Sequence, residues 1–140
     1  MAAIRSNLDP VSSSIAIHRP VDTVWAFLEL PKNWASWWAT MTNISPGWSK
    51  GATVSWADGG SSTLIKFKPF RTRLFGPWCS LSLAGPSIQL SININPADKR
   101  AIVTLEEKPI NGARWNDGGY SRLYPINSAL ERLKSCVEQV

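Results

Sequence analysis

Residues 87–96 alternate between apolar and polar side chains more regularly than any other part of the chain. An extended strand places alternate residues on opposite sides, so one side here is wholly apolar. That side carries Ile88, Leu90, Ile92 and Ile94. A strand with one apolar and one polar side is typical of an antiparallel sheet that is solvated on one face. The other face has to be covered, so this segment predicts a sheet packed against a second layer.

The chain around this segment predicts further strands and turns. Aspartate and glycine at residues 58–60 indicate a hairpin, and Gly85 with Pro86 indicates another. In the last strand, Ala101, Val103 and Leu105 share one side. The other predicted strands cover residues 12–19, 51–58, 61–69, 77–85 and 100–109.

Three segments predict helices. Pro20 suits a helix start, and Pro31 disfavours helical conformation in the residue before it, so the first helix lies between them. A second short helix is expected over residues 31–38. The long C-terminal helix has an apolar stripe, and Pro125 either starts its regular part or kinks its first turn. That stripe consists of Ile126, Leu130, Leu133 and Val137.

Length and composition limit the function classes. A chain of 140 residues predicts a single domain over residues 1–140. The net charge is +5, but the cations are scattered and no nucleic-acid-binding motif accompanies them, so nucleic-acid binding is disfavoured. No apolar run reaches the length of a membrane span, and no signal peptide is visible, so a cytoplasmic protein is expected. Cys79 and Cys136 lack metal or redox spacing and are expected to be free thiols.

Four of the eight tryptophans fall within residues 18–38. Trp25 lies on the apolar face of the first helix and is interpreted as core. Trp56 shares the inward side of its strand with Val54, and Trp38 shares one face of the second helix with Trp34. Flat rings with a polar tip suit both a core and the wall of a pocket for a planar ligand. Trp38 and Trp56 are therefore the preferred candidates for pocket walls.

Four quoted stretches resemble one superfamily. They are "SIAIHRPVDTVWAFLELPKNWASWW", "GATVSW", "IVTLEEKPINGA" and "ALERLKSCVE". The chain resembles the helix-grip fold of the Bet v 1/START-like superfamily, also called SRPBCC. It is more similar to the polyketide cyclase/dehydrase branch than to the plant allergens, whose glycine-rich loop it lacks.

The resemblance implies an α+β fold with two short helices between the first two strands. A strongly bent antiparallel sheet of about seven strands would wrap around the long C-terminal helix. A cavity between sheet and helix would take a hydrophobic small molecule of polycyclic or polyketide-like type. The expected ligand-binding residues are Trp34, Trp38, Trp56, Lys66, Arg73, Leu90, Ile92, Val103, Ile126 and Leu130.

Several side chains could move protons on such a ligand. The candidates chosen for catalysis are Asp58, Glu106, Arg114, Tyr120 and Tyr124. Glu107 has the same chemistry as Glu106, and a solvated position is the simplest interpretation of either. The single histidine, His18, is expected to lie on the outward side of its strand. This position disfavours a Ser–His–Asp triad. No pair of residues has metal-ligand spacing, so neither a metal nor another cofactor is expected.

Three functions remain open. The chain could be a cofactor-free cyclase, dehydratase or isomerase of small-molecule biosynthesis, a non-catalytic carrier or sensor, or a protein-binding adaptor of the chaperone-regulator kind. Two titratable groups converging on a pocket would favour the enzyme, and a smooth apolar pocket would favour the carrier. A filled core with an exposed apolar patch would favour the adaptor. A homodimer is compatible with all three.

Overall fold

The computed structural model describes residues 6–69 and 78–139, and its central element is a seven-stranded antiparallel sheet. The strands are β1 (Val11–Ile17), β2 (Met41–Ser45), β3 (Thr53–Trp56), β4 (Ser61–Lys68), β5 (Cys79–Ala84), β6 (Ile88–Ala97) and β7 (Arg100–Pro109). Their order across the sheet is β1-β7-β6-β5-β4-β3-β2. Strands β2 to β7 thus pair with their neighbours along the chain, and β1 pairs with β7 at the far edge. The predicted α+β class and strand number are confirmed, although β2 was not located from the sequence.

Helical segments cover the inward face. The two expected between β1 and β2 are present as α1 (Val21–Leu28) and a 3-10 helix (Pro31–Ser36). The long helix α2 (Tyr120–Glu138) follows the sheet and begins before Pro125, which lies inside it. Pro125 is the sixth residue of this helix, where its missing N–H removes one hydrogen bond between successive turns.

The core lies between the inward face of the sheet and one side of α2. The predicted alternation in β6 is confirmed, since Leu90, Ile92 and Ile94 are buried. The stripe of α2 is buried with them and consists of Ile126, Ala129, Leu130, Leu133 and Val137. Removing these side chains from water is the main favourable contribution to folding.

A β-bulge in β4 changes which residues face the core. Leu64 lies opposite Leu83, but Lys66 lies opposite Ser82, so Ile65 is an extra residue in β4. A bulge of this kind shifts the alternation by one position. Lys66 therefore lies on the outward face, where regular alternation from Leu64 would have placed it inward. Phe67 takes the inward position instead, opposite Leu81.

The loop before α2 is anchored to the N-terminal segment. The indole Nε1 of Trp115 donates to the carbonyl of Asp9 at 2.7 Å, and the backbone N–H of Gly118 donates to Oδ1 of Asn7 at 2.9 Å. Gly119 has a φ of 91° and precedes the helix directly. Asp117 accepts a hydrogen bond from the N–H of Gly119 at 3.0 Å. These contacts hold the first turn of α2 against the sheet edge.

Candidate functional site

A cavity of about 490 Å³ opens on the inward face of the sheet. Its apolar part consists of Leu83 on β5 with Ile88 and Leu90 on β6. The β3–β4 hairpin and the segment before β2 form the opposite wall. The remaining lining residues are Trp38, Ala39, Thr40, Trp56, Ala57, Asp58, Ser62 and Glu107. This size falls in the range of small-molecule sites in proteins.

Two tryptophans form the aromatic walls of the cavity. Trp38 and Trp56 both line it, and each is only half-buried. The indole Nε1 of Trp56 donates to Oγ of Ser62 across the hairpin at 2.9 Å, which fixes the orientation of that ring. Both predicted pocket walls are thus placed at the cavity, one of them held by a hydrogen bond.

The other central tryptophans fill the space behind these walls. Trp34 is fully buried, and its ring centroid lies 4.9 Å from that of Trp37 and 6.0 Å from that of Trp56. The connected cluster of rings consists of Trp25, Trp34, Trp37, Trp38, Trp48, Trp56 and Phe67. Most of the tryptophans therefore pack the interior, and the cavity lies at the end bounded by Trp38 and Trp56.

Glu107 is the buried charged group of the cavity wall. Its side chain lines the cavity, and the residue is only 5% exposed. Arg122, in the first turn of α2, donates to Oε1 of Glu107 from Nε at 2.9 Å and approaches the same oxygen with Nη2 at 2.8 Å. A buried carboxylate is stable only with such a partner. The arrangement places a paired carboxyl group in a wall that also carries aromatic and aliphatic side chains.

Glu107 was considered beside Glu106 but not chosen for the site, although the sequence carried a signal for it. The inward side of β7 carries Ala101, Val103 and Leu105. Glu107 follows Leu105 by two residues and therefore lies on the same side. Glu106, which was chosen as the catalytic candidate, lies on the outward face for the same reason. The placement of Glu106 away from the cavity is a correction to the expected site.

The other residues expected at the site fall into two groups. Asp58 and Leu90 line the cavity, and Oδ1 of Asp58 also accepts a hydrogen bond from the N–H of Gly60 at 2.8 Å. A second group is buried in the core and does not line this cavity, because tryptophan rings and the helix stripe pack against it. This group comprises Trp34, Ile92, Val103, Ile126 and Leu130.

The remaining polar candidates lie outside the cavity. Tyr120 and Tyr124 are 54% and 79% exposed, because both occupy the side of α2 opposite its buried stripe. Arg114 is exposed in the loop before α2, and the bulge in β4 turns Lys66 outward. Arg73 lies outside the described residues. The tertiary structure thus brings Asp58 and Glu107 to one cavity and leaves the tyrosines on the surface.

Two other kinds of site were sought in the described ranges. Within residues 6–69 and 78–139, no three His, Cys, Asp or Glu side chains are grouped as metal ligands. In the same ranges, no helix combines the length and the apolar character needed to cross a membrane.

Comparisons with known proteins identify the architecture. No family model and no curated protein matches the chain. Solved structures do match, and DynU16, a protein of the dynemicin biosynthetic locus, superimposes with a TM-score of 0.69 at 16% identity. CalU16 from Micromonospora echinospora gives a TM-score of 0.68 at 14% identity, over 91% of this chain and 75% of that chain.

The fold is a helix-grip fold. The match to DynU16 covers 93% of this chain but only 47% of DynU16, so the chain spans about half of that protein. The dimeric Aha1 from Colwellia psychrerythraea has the same helix-grip architecture, with a TM-score of 0.67 at 16% identity over 94% of this chain and 97% of that chain. At these identities the likeness concerns the fold, and function has to be argued from the site.

Proposed function

We propose that this helix-grip protein binds a small hydrophobic molecule in the 490 Å³ cavity and catalyses a proton transfer on it. The observation that carries the proposal is the position of Glu107, a paired and buried carboxylate in a wall otherwise formed largely by Trp38, Trp56 and aliphatic side chains. A pocket with a few polar groups in an apolar lining is the usual form of a small-molecule site.

The size and shape of the cavity limit the substrate. Trp38 and Trp56 offer flat surfaces, which favour a planar or aromatic ring system. The tryptophan cluster occupies the depth of the interior, so the ligand would be a compact molecule of one or two rings rather than a long polycycle. Such a molecule would contact Leu83, Ile88 and Leu90 with its apolar side.

Glu107 would act as the base in this proposal. Its carboxylate would take a proton from a carbon next to a carbonyl, and the C–H electron pair would move into an enolate. In a dehydration, the protonated Glu107 would then return the proton to the departing hydroxyl, which leaves as water while a double bond forms. Arg122 would hold the carboxylate in place, and the hydroxyls of Thr40 and Ser62 in the cavity lining would donate to an enolate oxygen.

The name of one similar structure supports a biosynthetic setting. DynU16 is described by its place in the dynemicin biosynthetic locus, and CalU16 has a similar fold. We propose small-molecule biosynthesis as the setting of the reaction, which would be a cyclisation, dehydration or isomerisation without a cofactor.

A protein-binding adaptor is the second candidate, and one observation favours it. An apolar groove of about 500 Å³ runs along α1 and the 3-10 helix, where Ala26, Phe27 and Leu30 line it and Leu30 is 48% exposed. An exposed apolar groove is a usual feature of docking surfaces. The similarity to dimeric Aha1 makes this alternative worth testing in the same experiment.

A ligand screen with matched variants tests the proposal. The purified protein is titrated with one- and two-ring aromatic ketones while tryptophan fluorescence and native mass are recorded. Trp38→Phe and Trp56→Phe are expected to reduce the quenching caused by the ligand, whereas Trp115→Phe, whose indole lies outside the ring cluster, is the control.

Turnover separates an enzyme from a carrier. Hydrogen–deuterium exchange at the carbon next to the ligand carbonyl is followed by NMR. Glu107→Gln is expected to slow this exchange by roughly 100-fold or more, while Glu106→Gln, on the other face of the same strand, leaves it unchanged. Binding without exchange would reject catalysis and retain a carrier. The absence of binding in the whole screen would reject the proposal and leave the adaptor.

A further inference from the structure

A second concave site lies on the opposite, outward face of the sheet. It is a trough of about 570 Å³ along β4, β5 and β6. Its floor includes Ser82 and Ser91, whose Oγ atoms lie 2.9 Å apart, and Gln89 approaches Oγ of Ser91 with Nε2 at 3.4 Å. Ser82 is only 5% exposed although it faces outward. Small side chains in the middle of the sheet and long ones on both sides produce the depression.

Three lysines surround one side of this trough. Lys50, Lys66 and Lys68 line it, and the bulge in β4 places Lys66 directly opposite Ser82. Within residues 6–69 and 78–139, none of the three ammonium groups lies within 4.0 Å of a carboxylate. Opposite charges that face each other on neighbouring strands add a small stabilisation. Here Lys66 and Lys68 lie opposite Ser82 and Ser80, so neither has an acidic partner across this strand pair.

The opposite side of the trough has a different chemistry. Gln89 and Asn93 line it together with Glu106, which is the acidic member of the lining. These groups accept and donate hydrogen bonds and suit hydroxyl groups. The carboxylate also disfavours an extended polyanion, because a second negative charge on that side would be repelled.

We propose that this trough binds a phosphate monoester of a hydroxylated small molecule. The phosphate would lie between Lys50, Lys66 and Lys68, with the hydroxyl of Ser82 as a further donor. A phosphate monoester carries close to two negative charges at neutral pH and three acceptor oxygens, so it matches several ammonium groups better than a carboxylate does. The hydroxylated remainder would extend toward Gln89 and Glu106.

This site is independent of the cavity on the inward face. Adjacent residues of a strand point to opposite faces, and the two sites divide such neighbours between them. Leu83, Leu90 and Glu107 line the inward cavity, whereas their neighbours line the outward trough. Those neighbours are Ser82, Gln89, Ser91 and Glu106. Failure of one proposal therefore leaves the other unaffected.

Calorimetry with glucose 6-phosphate, glucose and inorganic phosphate is the first test. Glucose 6-phosphate is expected to bind, and glucose alone is not. Lys66→Gln and Lys68→Gln should each weaken binding roughly fivefold to tenfold, because each removes one charge close to the phosphate. Lys99→Gln removes an exposed lysine from the β6–β7 turn and should leave binding unchanged. Glu106→Gln should tighten the binding of inorganic phosphate.

Two further experiments test where the ligand binds and whether its phosphate belongs to a soluble molecule or to a lipid headgroup. In ¹⁵N-labelled protein, the amide signals of Ser82 and Ser91 should shift on titration, while those of Leu90 and Glu107 shift less. Vesicles of phosphatidylcholine with and without phosphatidic acid form a parallel arm. Vesicle binding alone, without binding of glucose 6-phosphate, would overturn the proposal of a soluble ligand. Equal losses in Lys66→Gln and Lys99→Gln, or no binding of any phosphate probe, would overturn the site itself.

Discussion

Arg122 engages a single oxygen of Glu107, with Nε at 2.9 Å and Nη2 at 2.8 Å from Oε1. This ion pair joins the first turn of α2 to the end of β7. It therefore does two things at once, because it fastens the long helix to the sheet and it orients the carboxylate that lines the cavity. Stability and the proposed chemistry depend on the same contact.

Removing the cation of this pair should destabilise the fold. Arg122→Met would leave the Glu107 carboxylate buried without its partner, at a cost of about 2 kcal/mol in the free energy of unfolding. Urea denaturation measures this loss. Lys99→Met, which removes an exposed lysine in a turn, is the control and should change the midpoint little. An unchanged midpoint in Arg122→Met would show that the pair contributes no net stability.

Gly119 should tolerate no side chain. A Cβ at this position would lie 2.2 Å from Cγ2 of Val11, and its φ of 91° is itself unfavourable for other residues. Gly119→Ala should therefore lower the free energy of unfolding by about 3 kcal/mol or more. Gly112→Ala is a matched control, since Gly112 has a φ of 82° but no atom within 4 Å of the added Cβ.

The control should cost only the backbone strain, about 1 kcal/mol. The difference between the two variants then isolates the steric contact with Val11. Equal losses in urea denaturation would mean that the loop before α2 moves to accommodate the methyl group.

Acid should loosen the C-terminal end of α2. Oε2 of Glu138 accepts hydrogen bonds from the N–H of His18 at 2.8 Å and from Nζ of Lys134 at 2.6 Å. The His18 hydrogen bond, followed by that of Lys134, holds the pKa of the Glu138 carboxyl below its ordinary value of 4.5. A depressed pKa in the folded state contributes stability above the ordinary value, and this is lost as the pH falls through the folded value.

Comparing Glu138→Gln with the unmodified protein measures this contribution. The gap between their urea midpoints should be largest above the ordinary carboxyl pKa of 4.5 and should close as the pH falls through the lowered pKa of Glu138. Glu131→Gln, which alters an exposed carboxylate on the same helix, should show no such closing gap. A gap that is independent of pH would contradict the prediction.

The two thiols should differ in reactivity. Cys79 is buried, and its Sγ donates to the carbonyl of Pro69 at 2.8 Å. Burial, with smaller contributions from Asp22 and Glu29, raises the pKa of the Cys79 thiol to about 11. Since the thiolate is the reactive form, maleimide at about pH 8 should modify Cys136 and spare Cys79 until the protein is unfolded. The control variant is Cys136→Ser, in which Cys79 is the remaining thiol and its labelling is followed by mass spectrometry. Rapid modification of this variant in the native state would contradict the expectation.

Periodicity predicted the framework of the fold. The alternation in β6 and the stripe in α2 appear in the structure as predicted, because burial of one face is what selects such patterns. The start of α1 after Pro20 and its end before Pro31 also agree with the backbone preferences of proline. The short strand β2 (Met41–Ser45) escaped detection because its burial pattern does not alternate.

The candidate site was predicted only in part. Trp38, Trp56 and Asp58 were selected and line the cavity. The alternation of β7 predicts that Glu107 faces inward, but its neighbour Glu106 was chosen for the site. Lys66 could not have been placed from regular alternation, since the bulge in β4 reverses its side.

The sequence alone determined the order of elements apart from β2, the inward sides of most strands and the buried face of α2, because each follows from local backbone preference and the spacing of apolar residues. Only the tertiary structure decided where open space remains. Seven aromatic rings form one connected cluster across α1, the 3-10 helix and the sheet, and the cavity lies beside two of them, Trp38 and Trp56. The pairing of Glu107 with Arg122, 15 residues away along the chain, likewise depends on how α2 docks on β7. Contacts between distant segments are set by the shape of the whole core, which no local pattern contains.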